Sequence, residues 1–241
     1  MSLSLVIIPT YNESENINKV LKAALDSGPD FHLLVVDDNS PDGTADIVRE
    51  MIEIYKGRVF LIERAGKLGL GTAYIAGFKW GLERNYDYIF EMDADFSHNP
   101  LDLPRLLKVV SSGEGDLAIG SRYVKGGAIE NWPFIRHFLS YGASLYVRMI
   151  TWMPIKDPTA GYKCYSAQVL RAIDLDKVRF IGYAFQIEMK YKAWCKGFKV
   201  KEIPVTFTDR IEGSSKMSKA IVREAIFGVL KLRWRRLKGD F

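Results

Sequence analysis

The stretch "HLLVVDDNSPDGTADIVREMIEIYKGRVFLIE", residues 32–63, decides the fold class of this chain of 241 residues. It contains two short apolar runs, 32–38 and 58–63, and between them a segment, 44–56, whose apolar residues recur at helical spacing. Continuous apolar runs separated by a helix are typical of parallel strands that are covered on both faces. The stretch therefore predicts a β-α-β unit.

The same alternation continues on both sides of this unit. It predicts further strands at 3–9, 87–93 and 116–121, and further helices at 14–27, 71–85 and 101–113. We therefore expect an α/β fold with a doubly wound, open and mainly parallel twisted sheet through about residue 120, with helices on both faces. Asn12 and Glu15 have the spacing of a capping box, which predicts that the first helix begins just after Asn12.

The pattern changes after residue 120. The sequence predicts a glycine-containing loop, a helix over 134–152, a loop that enters a strand over 157–166, a helix over 185–197, a strand over 198–210 and a basic amphipathic helix over 217–241. We expect residues 1–216 to form one domain with halves at about 1–120 and 121–216. The second half should build walls around a site that the first half makes.

The composition is that of an ordinary globular protein, with 48% hydrophobic and 26% charged residues. Cys164 and Cys195 are far apart in sequence, and we interpret both as packing residues in a reducing compartment. The amino-terminal apolar run is too short for a signal peptide. The most apolar later stretch, 132–154, includes Arg136 and Arg148, which are costly inside a bilayer, so we expect no transmembrane span and a cytoplasmic protein.

Acidic residues follow three predicted strands. Ligands of open parallel sheets bind beyond the carboxyl ends of the strands. Asp37 and Asp38 can either bind a ligand there or cap the next helix. Asp93 and Asp95 are harder to explain in that way, because two such close like charges repel unless a cation or hydrogen-bond donors compensate them. We favour a site for Mg²⁺ or Mn²⁺, which take carboxylate oxygens together with substrate phosphates.

Other polar signals are weaker. His98 is interpreted as a structural polar residue, and the glycines of "GKLGLG", 66–71, are only weak evidence for a phosphate site. The net charge is +5, and the basic residues crowd the last helix. This basic run has three interpretations: a solvated helix face, contact with an anionic membrane surface, or nucleic-acid binding. We expect no nucleic-acid partner. The acids lie at the strand ends, where a ligand should bind, and the basic groups lie at the terminus, which is the reverse of the arrangement in a DNA-binding groove.

Six ordered motifs carry a resemblance to a known family. They are "VIIPTYNE", "VVDDNSPDGT", "MDADFSHNP", "GSRYVKGG", "ENWPFIR" and "DPTAGYKCY". From about residue 4 to about 217 the sequence resembles the family-2 glycosyltransferases of GT-A fold, and among them the polyprenol-phosphate (dolichol-phosphate) mannose synthases. The resemblance implies metal-dependent, inverting transfer of mannose from GDP-mannose to a polyprenyl phosphate. Glucosyl transfer from UDP-glucose and a non-enzymatic, receiver-like α/β binding module remain as alternatives.

The resemblance also implies roles for single residues, with the first half binding the nucleotide and the second half facing the acceptor. The implied nucleotide-sugar contacts are Pro9, Tyr11, Glu13, Val36, Asp38, Asp93, Ala94, Asp95, Arg210 and Lys216, and Asp93 and Asp95 are the implied metal ligands. The implied acceptor-phosphate contacts are Arg122, Arg136 and Ser140, and the implied catalytic residues are Asp95, Arg122 and Arg136. Some relatives have a glutamine as a further metal ligand where this chain has Ser97, so we expect water to complete the shell.

Two further expectations concern Asp157 and the membrane. Asp157 is a candidate orienting carboxylate, with capping of the following turn as the alternative. A lipid-linked acceptor requires contact with a membrane surface, so we expect a peripheral protein on the cytosolic face, held by its basic amphipathic segments or by a membrane-anchoring partner protein. The aromatic residues of this region are Trp132, Phe134, Tyr141, Tyr146 and Trp152. We expect most of them to pack in the core, so that only the helix as a whole is the candidate membrane contact.

Overall fold

A computed structural model describes residues 3–182, 184–209 and 219–239, with the side chains of 219–226 left aside. Within these residues the strands are β1 Ser4–Thr10, β2 Phe31–Asp37, β3 Val59–Glu63, β4 Tyr88–Glu91, β5 Leu117–Ser121, β6 Ala128–Glu130, β7 Lys163–Ser166, β8 Val200–Pro204 and β9 Thr206–Thr208. The α-helices are α1 Ile17–Asp26, α2 Thr44–Ile54, α3 Leu70–Glu83, α4 Leu103–Ser111, α5 Phe134–Thr151, α6 Ala167–Ala172, α7 Ala184–Cys195 and α8 Lys219–Leu237. Short 3₁₀ turns cover Pro100–Asp102 and Leu175–Lys177.

Seven strands form one sheet in the order β3-β2-β1-β4-β7-β5-β8. The neighbours among β1 to β4 are parallel, and so is the pair of β5 and β8. Strand β7 is antiparallel to both of its neighbours, β4 and β5. The predicted open, mainly parallel sheet is confirmed, and the antiparallel strand comes from the second half of the chain.

Apolar cores on both faces of the sheet explain the continuous apolar runs. Leu5 and Ile7 of β1 belong to one core, which includes Phe78 of α3. Val6 and Ile8 face the opposite core, which contains residues of α1, α2 and α4. Because successive side chains of a strand point to opposite faces, a strand covered on both sides must be apolar at every position.

The predicted capping box is wrong. Helix α1 begins at Ile17, and the main-chain N–H groups of Asn16 and Ile17 bond to the carbonyl of Glu13. Asn12 has a left-handed φ of 58°, which asparagine tolerates. Its N–H donates to the Ser40 hydroxyl, and the next two N–H groups donate to Thr44, the first residue of α2, and to Asp42 in the turn before it. The bond to Ser40 therefore satisfies the Asn12 N–H, one of the two donors that a capping box would satisfy.

The predicted single strand over 198–210 is also wrong, because it is two strands of different sheets. Strand β8 extends the main sheet beside β5, whereas β9 pairs with β6 in a two-stranded sheet. The break falls at Val205, after Pro204, which has no N–H to donate. The short strand β6 and the helix α6 lie in segments that the sequence pattern did not predict as strand or helix.

Helices α5 and α8 pack against each other, and α8 also packs on α7. The predicted helices over 134–152 and in the basic tail are thus present. Among the described residues no helix combines the length and the apolar character that crossing a membrane demands.

Candidate functional site

The carboxyl ends of β1, β2 and β4 are neighbours in the sheet. Pro9 at the end of β1 is in register with Val36 of β2. The Val36 side chain is fully buried in the core, so only its main chain is available to a nucleotide. Beyond β1, the ammonium group of Lys67 lies 4.5 Å from the centre of the Tyr11 ring. Glu13 is partly buried in the following loop, and its N–H donates to Thr44.

The two acids after β2 have different partners. Asp37 is buried and accepts hydrogen bonds from the Thr10 hydroxyl and from the N–H and hydroxyl of Ser40, so it holds the loop together. Asp38 forms an ion pair with Arg64, and both side chains are largely buried. Burial raises the pKa of Asp38, although Arg64 opposes that shift. Neither acid caps α2, because the carboxylate of Asp42 accepts the bond from the N–H of Thr44.

Asp93 and Asp95 lie just beyond β4, on either side of the buried Ala94. The side chain of Asp93 is 33% exposed, and it accepts a hydrogen bond of 3.3 Å from the Tyr74 hydroxyl. Asp95 is only 6% exposed, and one of its oxygens accepts a bond from the N–H of Ser97. The loop thus presents two carboxylates whose positions the main chain fixes.

Backbone strain marks the same loop. Phe96 has a left-handed φ of 59°, which is unusual for a bulky residue and typical of functional sites. His98 accepts a bond of 3.0 Å from the N–H of Asp93 through Nδ1, so its proton is on Nε2. The ring stacks on Tyr162. This geometry supports the predicted structural role of His98, since the ring fixes the main chain of an aspartate.

The chemistry of the two carboxylates fits a hard divalent cation. They offer oxygen ligands, and the rest of the coordination shell of such an ion is usually completed by substrate phosphates and water. Among the described residues, no histidine, cysteine or further acid is placed to act with the two aspartates as a third protein ligand of a metal ion. The donor set therefore matches an ion that arrives together with a phosphate-bearing substrate.

Arg122 follows β5 and forms a two-pronged ion pair with Asp157. Its Nε and Nη2 donate to the two carboxylate oxygens over 2.7 Å each, and its main-chain N–H donates to the same carboxylate. Asp157 is fully buried, and the side chain of Arg122 is 9% exposed. Burial alone would raise the pKa of Asp157, but the bonds and charge of Arg122 outweigh it and keep that pKa below its ordinary value. Asp157 thus orients Arg122, and its carboxylate also accepts a bond of 3.2 Å from the Thr159 hydroxyl in the following turn, so both interpretations of Asp157 have a contact in the structure.

Arg136 lies in the first turn of α5 and has a more open environment. One nitrogen, Nη1, contacts both carboxylate oxygens of Asp209 over 2.8 Å. Its guanidinium carbon lies 4.1 Å from the ring centre of Trp132. The guanidinium carbon of Arg122 lies 5.7 Å from the same ring, so one indole brings the two predicted acceptor arginines together.

Ser140 lies one turn further along α5, where its hydroxyl accepts a bond of 2.8 Å from the Tyr123 hydroxyl. Tyr123 is partly buried, and burial raises the pKa of its hydroxyl. Because Tyr123 directly follows Arg122, this bond ties Ser140 to the loop after β5. The two remaining predicted residues, Arg210 and Lys216, lie outside the described residues.

A family model described as glycosyl transferase family 2 matches residues 5–174, which include the acidic loop after β4 and the pair of Arg122 and Asp157. The chain belongs to this family. This glycosyltransferase is 50% identical over 226 residues to the polyprenol monophosphomannose synthase of Mycolicibacterium smegmatis. The matched region covers 94% of the chain and 85% of the relative. It is 48% identical to the undecaprenyl-phosphate mannosyltransferase of Micrococcus luteus over 98% of the chain and 97% of the relative.

More distant relatives share the fold. The dolichol-phosphate mannosyltransferase of Pyrococcus furiosus is 38% identical over 95% of the glycosyltransferase and 63% of the relative. A glucosyl-3-phosphoglycerate synthase of Mycobacterium tuberculosis, solved with Mn²⁺, UDP and phosphoglyceric acid, matches with a TM-score of 0.69 at 19% identity over 96% of this chain and 78% of that one. A mannosyltransferase of Pyrobaculum calidifontis, solved with GDP-Man and Mn²⁺, matches with a TM-score of 0.63 at 16% sequence identity. The match covers 99% of this chain and 64% of that one. The predicted GT-A fold is confirmed, and the receiver-like alternative is removed.

Sequence reasoning missed several residues that hold the site of the glycosyltransferase. The ammonium group of Lys190, buried in α7, donates to the carbonyls of Pro158 and Ala160, on either side of Thr159 in the loop that presents Asp157. Glu202 of β8 accepts the N–H of Asp157 from the other side. No sequence signal distinguishes these two residues from surface charges, because their partners are main-chain groups far away along the chain.

A buried ion pair lies beneath the acidic loop. Lys163 of β7 is in register with Glu91 of β4, and their charged groups are 2.9 Å apart with both side chains fully buried. The Tyr165 hydroxyl also donates to Glu91. The antiparallel insertion of β7 thus neutralises the acid that precedes Met92 and Asp93.

The outer faces of α5 and α8 are apolar and exposed. Large apolar side chains are exposed along both helices; they are Phe134, Ile135, Phe138, Leu139, Tyr141, Leu145 and Met149 on α5, Trp152 just after it, and Phe227, Leu230, Trp234 and Leu237 on α8. Phe134 is 84% and Trp152 is 71% exposed. The expectation that most aromatic residues of this region pack in the core is therefore wrong. They cannot pack inward because Ser144, Val147 and Thr151 form the buried face of α5.

The basic residues of α8 interleave with these aromatic rings. Arg233 lies over Trp152 at 4.2 Å, and Lys238 lies over Trp234 at 3.8 Å. Arg235 instead points inward and contacts the buried Glu188 of α7 at 3.4 Å. The basic run is therefore more than a solvated helix face, since one of its charges attaches α8 to the domain.

Proposed function

We propose that this glycosyltransferase transfers mannose from GDP-mannose to the phosphate of a polyprenyl monophosphate at a membrane surface, with inversion at the anomeric carbon. The observation that carries the proposal is the 50% identity, over 94% of the chain, to a polyprenol monophosphomannose synthase. The site supports it with two acids beyond β4 and two arginines that share the ring of Trp132. We propose that Pro9, Tyr11, Glu13, Asp38 and the main chain of Val36 bind the nucleotide.

The donor side has to stabilise negative charge on a leaving diphosphate. Asp93 and Asp95 would hold Mg²⁺ or Mn²⁺, which supplies electrostatic stabilisation of that charge when it is bound. Asp95 is held by the Ser97 N–H, and the N–H of Asp93 is held by His98, so both carboxylates are positioned before substrate arrives. Ser97 is 2% exposed, and its N–H rather than its hydroxyl reaches Asp95. We assign diphosphate contacts to Arg210 and Lys216 on the resemblance alone.

The acceptor side has to hold an anion in line with the anomeric carbon. Arginine suits this task because its fork matches phosphate oxygens. Asp157 fixes the orientation of Arg122, and Trp132 lies beneath Arg136. A phosphate monoester is already ionised near neutral pH, so the attacking oxygen needs no strong general base. This chemistry explains how Arg122, Arg136 and Ser140 can serve the reaction without a catalytic histidine.

We place the protein peripherally on the cytosolic face of a membrane, and the exposed apolar faces of α5 and α8 support the membrane contact. An apolar face bordered by Arg and Lys is the pattern of helices that lie in the interface of a bilayer. Arg136 and Ser140 are on α5 itself, so one helix carries both part of the proposed phosphate site and the apolar side chains that would contact lipid. A membrane-anchoring partner protein is compatible with the same face.

The decisive experiment combines purified protein with radiolabelled GDP-mannose or UDP-glucose, a short polyprenyl phosphate, and either Mg²⁺, Mn²⁺ or a chelator. We expect label to enter the organic phase with GDP-mannose and a divalent ion, and to stay in the aqueous phase with chelator. Label transfer from UDP-glucose alone would overturn the choice of donor. Retention on anionic vesicles but not on duplex DNA at physiological salt would separate membrane binding from nucleic-acid binding.

A further inference from the structure

Two arginines of the acceptor side are each paired with a carboxylate, but the two pairs are built differently. The pair of Arg122 and Asp157 is buried and uses two guanidinium nitrogens, with Thr159 as an additional acceptor for Nη2. In the pair of Arg136 and Asp209 both carboxylate oxygens contact one nitrogen, and the side chains are 37% and 26% exposed. The first pair is therefore a fixed element of the fold. In the second pair the carboxylate of Asp209 can be displaced from Arg136 by an anion from solution.

The main chain holds Asp209 at Arg136. The N–H of Asp209 donates to the carbonyl of Glu130, at the end of the two-stranded sheet of β6 and β9. Trp132, two residues after Glu130, contacts the guanidinium group of Arg136 with its ring face. The guanidinium therefore has a support that does not depend on the charge of Asp209. Removal of that charge would leave Arg136 in position and its anion-binding side open.

We propose that Asp209 is a resident competitor at the acceptor site: its carboxylate occupies the anion-binding side of Arg136, and an incoming phosphate binds there only by displacing it. This inference rests on the proposed function, because it concerns the acceptor of the same reaction. An enzyme at a membrane surface meets a large excess of lipid phosphodiesters, each with a single negative charge. A phosphate monoester has a charge between about −1.5 and −2 at neutral pH. At equal distance its attraction to an arginine is therefore up to about twice that of a diester or a carboxylate.

The strength of the resident ion pair suits such a competition. Half-exposed pairs are weak, worth up to about a fivefold change in an equilibrium constant, which is about 1 kcal/mol. A doubly charged phosphate that also reaches Arg122 and Ser140 can displace Asp209, while a singly charged diester gains little over the carboxylate that it replaces. Displacing Asp209 costs both ligands the same free energy, so Asp209 lowers both affinities by the same factor. The diester, which binds more weakly to begin with, is left with little net affinity, whereas the acceptor still binds.

The test is Asp209→Asn, which keeps the size of the side chain and removes its charge. Dihexyl phosphate is the diester probe and hexyl phosphate the monoester probe, both titrated by calorimetry and used as inhibitors of mannose transfer to a short polyprenyl phosphate. We expect the variant to bind dihexyl phosphate and hexyl phosphate more tightly than the wild type by the same factor, up to about fivefold, and to be inhibited by both at correspondingly lower concentrations. We also expect its KM for the acceptor to fall up to about fivefold.

The controls separate competition at Arg136 from a structural role of Asp209. Asp174→Asn, which removes the charge of an exposed acid paired with Lys177, should leave both readouts unchanged. In the double variant Arg136→Gln and Asp209→Asn the gained affinity for the diester should disappear. Asp209→Ser should change both readouts in the same direction as Asp209→Asn, and thermal melting verifies that each variant is folded.

Two results would overturn the inference. One is a rise in acceptor KM in the folded Asp209→Asn variant, which would make Asp209 a positioning residue of Arg136. The other is unchanged affinity for dihexyl phosphate. Failure of the proposed function looks different: the wild type would then transfer no mannose to any prenyl phosphate, while calorimetry with the two hexyl phosphates would still decide the role of Asp209.

Discussion

The ion pair of Arg122 and Asp157 allows a quantitative prediction. Asp157→Asn removes the negative charge from a fully buried position and leaves the guanidinium group of Arg122 without its counter-charge. Breaking a buried pair in this way costs about 3–5 kcal/mol of unfolding free energy, because the remaining charge is desolvated and uncompensated. For a domain of this size each kcal/mol corresponds to about 2–4 °C, so the melting temperature should fall by roughly 6–20 °C.

A double-mutant cycle separates the pair from other effects of substitution. Arg122→Met should destabilise the protein by a similar amount, since it leaves the Asp157 carboxylate buried and unpaired. The double variant should lose clearly less stability than the sum of the two single losses, because the second change removes the charge that the first left unpaired. Neither single variant nor the double variant should bind the acceptor as the wild type does, and we expect the acceptor KM of Asp157→Asn to rise about tenfold.

Urea unfolding followed by circular dichroism measures the stabilities, and mannose transfer at varied acceptor concentration measures the KM. Asp174→Asn is the matched control, because it removes an acid from an exposed pair and should change neither quantity appreciably. A loss of less than about 1 kcal/mol for Asp157→Asn would refute the reasoning, since it would mean that Arg122 is solvated or finds another anion. Additive losses in the cycle would refute it as well.

Three further predictions follow from the acidic loop, the acid pairs and the exposed helix faces. Asp95→Asn should abolish mannose transfer while the melting temperature stays close to that of the wild type; transfer at the wild-type rate would remove its role in metal binding. Because the pKa of Asp157 is lowered in the folded state, its contribution to stability should be complete above the ordinary carboxyl pKa of about 4 and should be lost as the pH falls through the lower folded value, so that acid unfolding is less steep in Asp157→Asn. Phe138→Glu and Phe227→Glu should each reduce retention on anionic vesicles and transfer to a long-chain acceptor, but not transfer to a water-soluble short-chain acceptor; equal losses with both acceptors would contradict a membrane role for these faces.

The first half of the fold was predictable because its strands are covered on both sides. Burial of six of the seven positions in each of β1 and β2 produces nearly continuous apolar runs that a sequence displays directly. In the second half the deciding interactions are long-range. The alternation of Gln186, Glu188, Lys190 and Lys192 in α7 resembles an exposed helix, yet all four side chains are buried, because charges and carbonyls from distant segments pair with them.

The site shows the same division. The position of the acids beyond β4 was predictable from a local pattern. Two carboxylates that directly follow an apolar run repel each other unless a cation or hydrogen-bond donors compensate them, so the pattern itself draws attention to the end of that strand. The pairing of Arg136 with Asp209 was not, because it joins residues 73 positions apart through the register of two three-residue strands. Likewise, the sequence around Lys163 gives no sign that its side chain neutralises Glu91.

The insertion of β7 between β4 and β5 affects how the chain can be made. During synthesis the first 120 residues leave the ribosome with β4 and β5 unable to pair with each other, since the strand that bridges them begins only at Lys163. Open strand edges of this kind are sites of aggregation until they are covered. We therefore expect a fragment ending near residue 120 to need a chaperone or to precipitate, and a nascent chain to gain resistance to protease only after β7 has emerged.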